Sequence, residues 1–167
     1  TIDPKSLPNH LQSSTSSSNL IAATSIIPAT LSDFAPDAYF VIHLFSGPRR
    51  AGDFDEQFRD LMGYYNLLLT VLSFDICLGY DILDSDHWIF LVRICETGRV
   101  RLRMAGPPCS TWSRLRHLAG GPPPLRSRRF PWGLPMLSEN AVLKGQCDRG
   151  TMMLKRTITL MTIVSTY

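Results

Sequence analysis

The chain has 167 residues, 44% of them apolar, and a formal net charge of +3. That is enough apolar material for one domain with a core of ordinary size, and too small a basic excess to mark a nucleic-acid binder by charge alone. Four scattered cysteines (Cys77, Cys95, Cys109, Cys147) with no C-x-x-C pair argue against a zinc site and a disulfide scaffold; no metal is expected, and a reduced intracellular compartment, the nucleus included, is.

Residues 1 to 37 read as a Ser/Thr/Pro-rich disordered leader. Gln12 to Asn19 is almost all serine and threonine, and Pro4, Pro8, Pro28 and Pro36 punctuate the rest. Too little apolar surface remains to offset the entropy of ordering. The chain starts at Thr1 and is read as a fragment or a processed piece. It has no signal-peptide pattern and no apolar run long enough to span a bilayer, so no membrane partner is expected. Order is expected from Ala38 onward. Tyr39 to Phe45 is a continuous apolar run that suits a strand buried on both faces. Ser46 to Gly52 makes a glycine turn, and Asp53 with Glu56 forms a capping box before Phe54, Phe58, Leu61 and Met62 at helical spacing. Strand, glycine turn and helix in that order open a nucleotide-binding α/β unit, where glycine lets a ligand approach the backbone.

Leu67 to Phe74 is the second strand, and it ends in Asp75. A carboxylate there is placed to accept hydrogen bonds from ribose hydroxyls. Ser85 is expected to cap a helix over Asp86 to Thr97, with Trp88, Ile89, Leu91, Val92 and Cys95 on its apolar face and Gly98 at its end. Cys95 is therefore a core residue. Val100 to Ala105 is the third strand. Gly106, Pro107 and Pro108 stop it, because proline fixes φ and cannot donate to a sheet ladder. The stiff loop presents Cys109 just past a strand end, where open α/β sheets bind their ligands.

Gly106-Pro107-Pro108-Cys109-Ser110-Thr111-Trp112-Ser113 resembles the catalytic loop of the DNA (cytosine-5) methyltransferases. The Trp-Ser after the cysteine is similar to the methyltransferase-like domains of some mobile-element polyproteins. Phe45-Ser46-Gly47 resembles the start of that family's S-adenosylmethionine loop, with Arg49 where the family has a second glycine. Asp81-Ile82 resembles its adenine-contacting segment. The resemblance covers residues 38–167 and implies an α/β, partial Rossmann-like methyltransferase fold: a parallel sheet flanked by helices, truncated on its C-terminal side. It implies S-adenosylmethionine as cofactor, held by Phe45, Gly47, Asp75, Asp81, Ile82 and Pro107, and Cys109 as the nucleophile. In the family reaction the thiolate adds to a cytosine ring that has left the stack, and the activated ring takes the methyl group. The family's glutamate element, later arginine motif and target-recognition region find no match before Tyr167, so weak or absent methyl transfer is expected of these residues.

DNA is the expected partner. Arg114, Arg116, Arg126 and Arg128 lie in a Gly/Pro-rich loop after the cysteine, where they are candidates for phosphate contacts. Glu139-Asn140 reads as a helix start. A helical pattern runs on through Met152, Met153, Leu154, Ile158 and Met161, and Thr159 to Val164 is expected to begin another strand. Two other readings stay open: a non-catalytic mobile-element remnant that binds nucleic acid, and a different S-adenosylmethionine or nucleotide binder.

Overall fold

The computed structural model describes residues 31–166; residues 1–30, most of the expected leader, lie outside the described residues. β1 (Tyr39–Leu44) carries no acidic or strongly basic side chain, as befits a strand covered on both faces. It is the centre of a three-stranded parallel sheet, between β2 (Leu69–Phe74) and β3 (Val100–Ala105). Leu44 pairs with both Phe74 and Ala105, so the three strands end level with one another. Phe40 opposes Val100 while Val41 opposes Leu102, which makes Arg101 an extra, bulged residue. Its guanidinium stacks 4.1 Å from the Tyr39 ring centroid.

The fold is α/β, a small parallel sheet flanked by helices. Phe40, Ile42, Leu44, Leu72 and Phe74 point to one face. There they pack against Leu91, Ile94 and Cys95 of α2 (Ser85–Glu96) and Leu160 of α3 (Ala141–Thr166). Cys95 is a core residue, as expected. His43 and Ser73 point the other way, toward α1 (Phe54–Tyr64). Asp53 caps α1 as expected, accepting from the Glu56 N–H at 2.9 Å, while the Glu56 carboxylate accepts from Gly52, one residue before the cap, at 2.6 Å.

Three expectations are corrected. The cap of α2 is Asp84, whose Oδ1 accepts from the N–H groups of Asp86 and His87, and Ser85 is the first helical residue. Thr159 to Val164 is helical, the end of the 26-residue α3. Its threonines tolerate the helix because Thr157 and Thr162 donate their hydroxyls to carbonyls four residues back, and Leu160 is buried in the core. Residues 31–37, placed in the leader by composition, pack on the domain. Phe34 meets Phe40 edge to face, and Arg99 donates to the carbonyls of Ala35 and Pro36.

A small second core (Leu125, Leu137 and Cys147) lies beneath the segment between β3 and α3. Asn140 caps α3 by accepting from the Leu143 N–H at 3.0 Å, in line with the helix start read there. Among the described residues no helix is long and apolar enough to cross a membrane.

Candidate functional site

Because the strands end level, the three following loops leave one edge of the sheet together. Phe45 leaves β1 in the left-handed region (φ 59°), an uncommon place for a bulky residue. The turn is held by Phe74, whose carbonyl accepts from the N–H groups of Phe45 (2.7 Å) and Ser46 (3.5 Å). Gly47, at φ 75°, then donates its N–H to Asp75 Oδ2 at 2.9 Å. Asp75 Oδ1 accepts from Cys77 N–H at 3.0 Å. Burial opposes the Asp75 charge, but hydrogen bonds from Cys77 and Gly47 outweigh it and hold the carboxyl below its usual range.

A cleft of about 150 Å³ opens at this edge. Its apolar lining includes Phe45, Phe74, Tyr80, Ile82 and Met153, and its carboxylates are Asp75 and Asp81. Asp81 Oδ1 accepts from Leu83 N–H at 2.8 Å, and Oδ2 lies 3.4 Å from Arg149 of α3. The structure thus brings together Phe45, Asp75, Asp81 and Ile82, with Gly47 tied in through Asp75. Pro107 is not among the lining residues. Its neighbour Pro108 is, which puts the cysteine loop at the cleft. Cys109 is the next residue, exposed and outside the lining.

The cysteine loop is clamped to α3. Gly150 of α3 faces it so closely that a Cβ there would lie 2.6 Å from Thr111 Oγ1 and 3.2 Å from the Trp112 ring. Arg126 lies 3.6 Å over the same ring. It donates to Thr111 Oγ1 (3.3 Å), Thr151 Oγ1 (3.1 Å) and the carbonyls of Cys147 (2.6 Å) and Pro131 (2.9 Å). Burial lowers its pKa. Arg126 is only 5% exposed, so it is corrected from a phosphate contact to an internal clamp. Arg116 is half-buried and braces the carbonyls of Ser110 and Pro123. Of the four expected DNA contacts, Arg114 and Arg128 stand exposed.

A polar network that no sequence motif marks lies under α1. Asp55 is 1% exposed. It accepts from His43 Nδ1 at 2.9 Å, from the Ser73 hydroxyl, and from the guanidinium of Arg49 in the glycine turn. Burial, aided by Arg49, holds His43 below the ordinary histidine value. Serine and histidine both address the carboxylate, not each other, so this is no nucleophile–base pair. It locks β1, β2, α1 and the turn to one another. No local motif discloses it, since two of its three partners, His43 and Ser73, lie 12 and 18 residues from Asp55. Among the described residues no group of three His, Cys, Asp or Glu side chains could hold a metal. Comparison of the chain with family models, curated proteins and solved structures returns no match.

Proposed function

We propose that residues 38–167 act as the cofactor-binding part of a DNA (cytosine-5) methyltransferase-like domain of Rossmann-like type. The observation that carries this reading is the cleft itself. Residues from three separate segments (Phe45, then Asp75, then Asp81 and Ile82) meet there beside Pro108, next to Cys109. Level strand ends are where parallel α/β sheets bind ligands.

The apolar lining and the two acceptor carboxylates fit an S-adenosyl group. Apolar side chains offer surface to a base, Asp75 accepts from ribose hydroxyls, and Asp81 accepts from the adenine amine. A second feature favours a sulfonium over a phosphate. The start of α1, which would otherwise attract an anion, is occupied by the carboxylates of Asp53 and Glu56. The enclosed space is smaller than the roughly 300–1,000 Å³ of common ligand pockets, and suits a single base better than a dinucleotide. When bound, S-adenosylmethionine supplies an electrophilic methyl group. Cys109, on its proline-stiffened loop, is the nucleophile for cytosine, and Arg114 and Arg128 are the loop cations left free for a DNA backbone.

Calorimetric titration of the full chain with S-adenosylmethionine, with AMP as the anionic comparator, tests this. Saturable binding of the first, weakened about tenfold in Asp75→Asn by loss of a charge-assisted hydrogen bond, is expected, with AMP weaker. No binding by a folded chain, or AMP bound equally well, contradicts it. Cytosine methylation that survives Cys109→Ala would remove the cysteine from the mechanism.

A further inference from the structure

Two arginines of α3 touch the segment that builds the far side of the cleft, and they differ in kind. Arg156 donates to the carbonyls of Ile82 (2.6 Å) and Asp84 (3.2 Å) and lies 4.9 Å over the Trp88 ring. It is a fixed staple. Arg149, about two helical turns earlier, has its side chain 57% exposed, and among the described residues its one polar partner is Asp81 Oδ2 at 3.4 Å. Met153 lies between them on the same helical stripe and lines the cleft.

Asp81 has one oxygen already committed, since Oδ1 accepts from Leu83 N–H. Oδ2 accepts no backbone hydrogen bond among the described residues, so it is the oxygen more open to a ligand's amine, and it is the oxygen that Arg149 holds. We infer that Arg149 is a latch on the cleft: it competes with an amine-bearing nucleoside for Asp81 Oδ2 and sets how tightly the cleft binds it. This rests on the proposed reading of the cleft as a nucleoside site. Arg149 is a positioning residue, acting through Asp81 and not on the ligand. An ion pair this exposed is worth up to about 1 kcal/mol, so releasing it should tighten binding by up to about fivefold.

The experiment is titration of the full chain with adenosine, for the wild type, Arg149→Gln, Asp81→Asn and the double variant, at about 0.05 M and about 0.5 M salt. Adenosine has no charge of its own, so salt acts on the latch. The latch predicts that Arg149→Gln binds adenosine two- to fivefold more tightly, roughly the range above. It also predicts that salt tightens the wild type but not Arg149→Gln, and that the Arg149 effect vanishes in the Asp81→Asn background. Equal or weaker binding by Arg149→Gln, or a gain that persists without the Asp81 charge, overturns the latch and leaves the nucleoside site standing. Absence of adenosine binding by folded wild type and Arg149→Gln alike overturns both.

Discussion

The two faces of the sheet are held by different physics. On the α2/α3 face, Phe40, Ile42, Leu44, Leu72 and Phe74 meet Leu91, Ile94 and Leu160. The stabilisation there is non-directional and spread over many contacts. On the α1 face, one buried carboxylate, Asp55, binds His43, Ser73 and Arg49. That face adds a few directional bonds to the burial of Val41 and Met62, and a missing partner leaves buried polar groups exposed to the full desolvation cost. The first face should therefore tolerate change in small steps, and the second should fail abruptly.

The largest test of that difference is Asp55→Ala. It strands an imidazole and a hydroxyl beneath α1, while Arg49, partly exposed, keeps Asp53 at 3.8 Å, and it should cost about 2–6 kcal/mol in urea-induced unfolding, at about 1–3 for each unpaired buried group. Asp55→Asn, of nearly the same shape, should recover only part of the loss; full recovery would mean that the charge is immaterial. On the other face Ile94→Val removes one methylene from a residue with no exposed surface, and should cost only about 0.5–1.5 kcal/mol. A loss equal to that of Asp55→Ala would erase the distinction.

The smallest effect is in pH. His43 has a lowered pKa in the folded chain, from burial and Arg49. Above about pH 6.5, the ordinary histidine value, it is neutral both folded and unfolded, and its contribution is complete. As the pH falls below that value the unfolded state takes the proton first, so stability is lost. Urea midpoints from pH 8 to pH 5 should fall more steeply for the wild type than for His43→Gln. Parallel curves would show that His43 does not titrate differently on folding.

The same contrast explains what could be read from the sequence. β1 and β2 follow from apolar runs, β3 from alternation, α2 from its helically spaced apolar face and α1 from the Asp53–Glu56 box, because those signals are local. The grouping of Phe45, Asp75, Asp81 and Ile82 is what the family resemblance implies, and for Asp75 its place at a strand end also suggests it. What escaped was decided by distant neighbours. The Asp55 network joins β1, β2 and α1 across the sequence. Arg126 looks like any arginine in a Gly/Pro loop until Trp112 and the Cys147 carbonyl enclose it. Thr159 to Val164 has strand-like composition, overridden where Leu160 docks on the core. The cap moved from Ser85 to Asp84 because both can cap and geometry chose between them.

The most direct measurement is a backbone amide NMR titration of the full chain with S-adenosylmethionine. Saturable shifts are expected at Gly47, whose N–H is bonded to Asp75, and at Tyr80 to Leu83 along the cleft, with Leu125 and Leu137 of the second core unmoved. Shifts centred on that second core, or none at all from a folded sample, would contradict the cleft as the cofactor site.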